Sequence, residues 1–317
     1  MNLIECESLT KQFSEVKAVD SLSFQVPEGS VSGLLGANGS GKTTSIRILL
    51  GLSSASSGKV SLLGKEPGKP GFAEAIHQTG SLIEGPALFG NATARDNMMV
   101  QALSRGIKSP NAEIAELLDF VGLKDWADKR SKIFSLGMKQ RLGIAIALLG
   151  KPKVVILDEP TNGLDPAGIV EIRELIKSLP ERGTTVFVSS HLLSEVELMC
   201  DRATIIDHGR LVADGSIADI IRSSGGEESF SVHLDLQDIE KAQQLLGDND
   251  LRIEPGDMPD RLRVFTGDGQ LVSKTLGGQQ IFLKELRKET LDLEDAFLSL
   301  TNSPPEPPEP GKQEVPK

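Results

Sequence analysis

The sequence predicts an α/β protein with a parallel-sheet core, an N-terminal antiparallel β part, an inserted helical subdomain and a small C-terminal α+β domain. Three observations carry this prediction. A glycine-rich loop stands between the strand-like VSGLL and the helical IRILLGL. The apolar runs VVILD and TTVFVSS flank the helical run PAGIVEIRELIKSL, an alternation expected of parallel strands joined by a helix. Between these regions, residues 86–150 change to helical periodicity.

Taken in order, LIECESL and LSFQVPEGSVSGLLG mix alternating and continuous apolar character, with Pro27, Glu28 and Gly29 between strand-like parts. They read as short strands joined by a hairpin. In the helical block, DNMMVQAL, AEIAELLDFVGL and MKQRLGIAIALL each carry apolar residues at three- and four-residue spacing. After the two core strands, ATIIDHGRLVADG reads as another hairpin, which closes a first domain over residues 1–222. Composition then breaks at SSGGEES, a linker. The strand-like SFSVHLDL, helix-like DIEKAQQLL, strand-like RLRVFTG and helical LEDAFLSL place the second domain at 227–301. Residues 302–317 are proline-rich and polar, and are expected to be extended and disordered. No internal repeat is visible.

Composition narrows the function. A chain of 317 residues holds more than one core, and a net charge of −11 argues against a surface built to hold nucleic acid. The two cysteines, Cys6 and Cys200, are far apart, so neither a disulfide framework nor a zinc site is expected. No charged leader with a long apolar stretch opens the chain, and no apolar run approaches the roughly 20 residues that span a bilayer. A soluble protein is expected.

The chemistry concentrates in two stretches. Gly36-Ala37-Asn38-Gly39-Ser40-Gly41-Lys42-Thr43-Thr44 has the spacing and the strand, loop, helix context of a phosphate loop. Its glycines let backbone N–H groups turn onto phosphate oxygens. Lys42 can reach the β and γ phosphates, and the Thr43 hydroxyl can ligate Mg2+. Further on, Asp158 and Glu159 end the strand-like VVIL, where an α/β sheet opens toward its ligand. Asp158 is suited to hold Mg2+, and Glu159 to orient or deprotonate an attacking water.

With these residues the chain resembles an ATP-binding cassette (ABC) ATPase, the nucleotide-binding subunit of membrane transporters, over residues 3–222. The resemblance implies a P-loop ATPase core and further site residues. Asn162-Gly163-Leu164-Asp165 looks like the family's D-loop, His191 like its switch histidine, and Phe13 like the ring set against adenine. Phe134 to Met138 occupies the place of the signature, commonly Leu-Ser-Gly-Gly-Gln, which meets the γ phosphate of a second, head-to-tail cassette. Ser135 and Gly137 match it; Leu136 and Met138 depart from it. Leu136 keeps its amide donor, and its side chain is expected to point away from the nucleotide. For the loop that approaches Mg2+, Glu84 is favoured, with Gln78 as the alternative.

The resemblance implies an ATP-hydrolysing subunit that powers a separate membrane-spanning permease from the cytoplasmic face of the membrane. Both halves of a site are present, so a homodimer is expected, with ATP and Mg2+ bound. The segment GSLIEGPALFGNATARDN is similar to the exporters of bacitracin, lantibiotics and drugs. The alternative is a soluble ABC ATPase acting on ribosomes or nucleic acid, disfavoured by a single phosphate loop and no sustained heptads. A regulatory module that binds nucleotide without hydrolysis is disfavoured by Glu159 and His191.

Overall fold

A computed structural model describes residues 1–223, 228–289 and 292–302; the centre of the SSGGEES stretch and the proline-rich tail from residue 303 lie outside them. Two compact units result, 1–220 and 221–302.

The first unit opens with β1 (Asn2–Phe13) and β2 (Val16–Pro27), a long hairpin that turns at Ser14, where φ is 52°. This corrects the expected hairpin about Pro27 to Gly29. Those residues carry the chain out of the antiparallel sheet into β3 (Val31–Leu35), which pairs with neither β1 nor β2. The burial explains the split. β2 alternates exposed and buried positions, as a strand with one wet face does, whereas all five residues of β3 are buried and need neighbours on both sides. After β3 come α1 (Lys42–Leu49), β4 (Ser57–Leu62), α2 (Phe72–His77) and β5 (Thr79–Leu82). β4 completes a three-stranded antiparallel sheet of order β2-β1-β4.

The helical stretch supplies α3 (Ala94–Ser104), α4 (Asn111–Phe120) and α5 (Leu136–Ala147), followed by β6 (Val154–Asp158) and α6 (Pro166–Lys177). Then β7 (Thr185–Ser190), α7 (Leu193–Met199), β8 (Arg202–Asp207), β9 (Arg210–Ser216) and α8 (Ile217–Ser223) follow. The main sheet has the order β5-β6-β7-β3-β8-β9, parallel except for β9 at its edge. Two cores use its two faces. Val155, Leu157, Val186 and Val188 join the helical core, while Val154, Ile156 and Phe187 join the core under β1, β2 and α1. Burial on both faces is why these strands read as unbroken apolar runs.

The second unit contains β10 (Ser229–His233), α9 (Ile239–Gly247), β11 (Arg252–Pro255), β12 (Arg261–Phe265), α10 (Gly269–Gly277), β13 (Glu285–Glu289) and α11 (Leu293–Asn302). Its sheet, β11-β12-β10-β13, is antiparallel throughout, the split βαβ arrangement of ferredoxin-like folds. It has its own core, centred on Val232, Leu246, Val264 and Leu276. Strand, helix, strand occurs twice in this unit. Both helices leave by the same turn: Leu251 N–H donates to Leu246 O and Ile281 N–H to Leu276 O, with φ 59° at Asp250 and at Gln280. LLGDNDL and TLGGQQI share only Leu, Gly and an apolar end, too little to declare a repeat by sequence.

Cys6 is buried, and the Cys200 sulfur lies against Gly33 of β3. Burial pushes both thiols far above their ordinary range by disfavouring the thiolate. A maleimide is therefore expected to label neither in the folded chain and both in denaturant. Rapid labelling under native conditions, read by mass, would contradict this packing.

Candidate nucleotide site

Parallel pairing brings three strand ends together. Leu35 of β3 pairs with Ser190 of β7, and Asp158 of β6 with Ser189 of β7, so β3, β6 and β7 deliver their carboxyl ends to one edge. The loop from Gly36 to Gly41 crosses that edge and enters α1. Two of its glycines are required by space. A Cβ on Gly36 would lie 2.3 Å from Ile206 O, and one on Gly41, where φ is 106°, 2.4 Å from Ala18 O. Asn38 and Gly39 form the exposed lip, Ser40 is buried inside it, and Thr44 is half-buried in α1. Ser40 Oγ has no hydrogen-bond partner among the described residues, a spare polar group within the cradle.

Lys42 is buried, and its Nζ donates to Gly36 O at 2.6 Å and Ala37 O at 3.2 Å. It also lies 3.2 Å from Glu159 Oε1. Glu159 Oε2 meets His191 Nδ1 at 2.7 Å. A cation, a carboxylate and an imidazole thus form one contact chain, built from the glycine loop, the end of β6 and the end of β7. Next to it, Thr43 Oγ1 donates to Asp158 Oδ2 at 2.8 Å. No cluster of three or more His, Cys, Asp or Glu able to hold a metal occurs among the described residues. The Thr43 and Asp158 oxygens suit Mg2+ nonetheless, since that ion takes one or two protein oxygens and fills its octahedron with phosphates and water.

Glu159 is held in an unusual backbone state, with φ 50°. A non-glycine residue there costs about 1–3 kcal/mol and persists only when its surroundings over-determine it. They do. Its N–H donates to Ser189 Oγ at 3.0 Å and Ser189 O at 3.2 Å, and its carbonyl accepts from Asn162 N–H at 3.1 Å. Ser189 also donates to Asp158 Oδ1, so one hydroxyl steadies both acidic residues. The sequence reading missed Ser189. Its signal was a polar residue ending an apolar strand whose neighbour in the sheet is β6.

The Glu84 and Gln78 alternatives separate by strand direction. β5 runs parallel to β6, with Thr79 opposite Val154 and Leu82 opposite Leu157. Gln78 therefore sits at the amino end, where its carbonyl accepts from Lys153 N–H, remote from the phosphate loop. Glu84 lies beyond the carboxyl end and borders an open groove of about 710 Å³ that Thr43, Asp158 and Glu159 also line. Its carboxylate, however, pairs with Arg47 at 2.6 Å and reaches neither Thr43 nor Asp158.

The remaining residues sit apart from this cluster. Phe13 ends β1 half-exposed, with Lys11 Nζ 4.8 Å from its ring centroid, and its strand partner Val16 is two residues before Ala18, which abuts Gly41. Ser135 caps α5 by accepting from Met138 N–H at 3.2 Å, and Gly137 lies in the first turn. Asp165 caps α6 through Gly168 N–H at 3.1 Å. Met138 packs on the helical core. Leu136 lines the groove, and its Cδ2 lies over Gly163.

The chain matches the ABC transporter family over residues 19–162. It is 40% identical over 301 residues to an uncharacterised ABC transporter ATP-binding protein, YhcH, of Bacillus subtilis (strain 168), covering 94% of this chain and 96% of that one. It is 48% identical over 213 residues to the bacitracin transport ATP-binding protein BcrA of Bacillus licheniformis, covering 67% and 69%. A solved structure of an ATP-binding subunit of an ABC transporter superposes with a TM-score of 0.63 at 29% identity, covering 70% of this chain and 93% of that one.

Proposed function

This chain belongs to the ATP-binding proteins of the ABC transporter family, which are ATPases coupled to transport, and we propose that it drives export of a drug or antimicrobial peptide through a separate membrane-spanning permease. The observation that carries the reading is the Lys42, Glu159 and His191 contact chain beside the Thr43 and Asp158 oxygens. Kinship with a bacitracin transport protein supports the cargo class, and no helix among the described residues is long and apolar enough to cross a membrane.

Phosphoryl transfer needs little covalent work from the protein, so positioning and charge carry the catalysis. The glycine-loop amides and Lys42 hold the phosphates. Thr43 and Asp158 would hold Mg2+, which would supply charge neutralisation for the phosphate oxygens. Glu159 orients the water and accepts its proton, and His191 steadies the Glu159 carboxylate. Phe13 offers adenine its free face. Ser135, Gly137 and Asp165 act on a second copy: in a head-to-tail homodimer the start of α5 in one chain faces the nucleotide of the other. ATP-driven closure then shifts the permease between states, and hydrolysis reverses it at the cytoplasmic face.

The test is to tag the full chain carrying Glu159→Gln, express it in its native host and extract membranes gently with ATP. A polytopic membrane protein in near-equal amount is expected to co-purify. Recovery of ribosomes or soluble proteins alone, with no tagged chain in the membranes, would sink the transporter reading.

A further inference from the structure

The turn between β8 and β9 consists of His208 and Gly209, both with positive φ, 45° and 79°. A tight hairpin between twisted strands demands that backbone, which accounts for a glycine in the turn. It does not account for where the tip lies. Gly209 N–H donates to Ser40 O of the phosphate loop at 3.1 Å, and Gly209 O accepts from Asp20 N–H of β2 at 2.8 Å. A Cβ on Gly209 would lie 2.9 Å from Ala18 O, the same carbonyl that leaves no room for a Cβ on Gly41. Ala18 O thus sits in a notch between two glycines, one from the hairpin tip and one from the phosphate loop.

Charge fastens the tip to β2. Arg210 donates to Asp20 Oδ2 through Nε at 3.0 Å and Nη2 at 2.9 Å, and Lys17 Nζ lies 3.1 Å from Asp20 Oδ1. Lys17 and Arg210 together hold the Asp20 carboxyl below its ordinary range. β8 meets the phosphate loop a second time through Ile206 O, which closes on Gly36. Among the described residues no backbone hydrogen bond joins the phosphate loop to β2 directly; Gly209 bonds to both. β2 begins at Val16, the strand partner of Phe13. The hairpin tip therefore bridges the phosphate loop and the strand that follows the Phe13 ring.

We propose that Gly209 is a positioning residue, fastened by the Arg210 and Asp20 pair, that sets the spacing between the surface that takes the base and the loop that takes the phosphates. The inference rests on the reading of Phe13 as the base platform and of Gly36 to Thr44 as the phosphate loop. A nucleotide touches both surfaces. Its affinity depends on their being held at one separation, because the second contact then forms without a further cost of ordering. An inorganic phosphate chain touches the loop alone. The tip thereby makes the site selective for whole nucleotides over phosphate chains. The spacing is the same before and during phosphoryl transfer, so the tip acts on binding and not on the rate of the bound complex.

Calorimetric titration of the full chain with ATP and with inorganic tripolyphosphate, each with Mg2+, tests this. Gly209→Asn tolerates the left-handed turn and brings a Cβ against Ala18 O, so it separates the spacing from the needs of the turn. It is expected to weaken ATP binding by about tenfold and to leave tripolyphosphate within about twofold. In steady-state phosphate release the same variant should raise KM by about tenfold with kcat within about twofold. Arg210→Ala is expected to weaken ATP by about threefold, as for an exposed ion pair, and Arg210→Lys to recover it. Equal weakening of ATP and tripolyphosphate would mean that the tip only shapes the phosphate loop, and would overturn the proposal. Unchanged ATP affinity in Gly209→Asn would overturn it as well. If thermal unfolding shows that Gly209→Asn does not fold, Arg210→Ala decides by the same comparison of the two ligands. An unmodified chain that binds neither ligand would sink the phosphate-loop reading itself. One that binds tripolyphosphate as tightly as ATP would leave that reading standing and overturn the spacing role.

Discussion

Glu159→Gln is expected to lower steady-state ATP turnover by about 10² to 10⁴-fold, the usual contribution of a positioned base, and to leave ATP affinity within about threefold. Glutamine preserves the shape that fits between Lys42 and His191 but cannot accept a proton from water. The backbone bonds that hold residue 159 come from Ser189 and Asn162 and do not involve its side chain. The variant should therefore fold, bind and stall. Phosphate release under saturating ATP, set beside equilibrium binding of a fluorescent ATP analogue, separates the two quantities. Turnover at the unmodified rate would remove Glu159 from the role of base, and a parallel loss of binding would recast it as a phosphate-site residue.

Lys42→Met is expected to act at the other end of the same contact chain with a different signature. Methionine approximates the length and volume of the lysine stem and removes the ammonium. Three oxygens then lose their cation: Gly36 O, Ala37 O and Glu159 Oε1. In the bound state the ammonium would pair with the phosphates, and removing one member of such a buried charge pair costs about 2–5 kcal/mol, so ATP affinity should fall by about thirtyfold or more, and turnover with it. The contrast with Glu159→Gln is the informative part. If Lys42→Met kept its affinity and lost only turnover, Lys42 would act on the transition state alone and the phosphate-holding role would be wrong. Thermal unfolding of both variants shows whether either result comes from misfolding.

The legible parts of this site were local. Gly36 to Thr44 announces a phosphate loop because every contact that shapes it comes from a turn between one strand and the next helix, and the glycine positions needed by that turn are spaced in the sequence itself. Asp158 and Glu159 were legible as the polar end of an apolar strand. The C-terminal unit was legible as a class, yet β11, α10 and β13 were not. The exposed, charged face of β13, ELRKE, carries no strand-like alternation of its own and is held by pairing with β10.

Other features existed only once strands were paired. Ser189 supports both acidic residues because β7 lies beside β6 in the sheet, although 30 positions separate it from Glu159 in the chain. The hairpin belongs at Ser14 because β3 is claimed by β7 and β8, a competition that local pattern does not express. The sequence by itself determined the chemistry of the phosphate loop, the acidic pair and the alternation of strand and helix, since these depend on residues near one another along the chain. Tertiary structure alone decided that Glu84 and not Gln78 stands at the phosphate edge, and that Leu136 rests on Gly163. The physical reason is that parallel pairing sets which end of each strand shares an edge, and long-range packing sets which glycine a leucine covers.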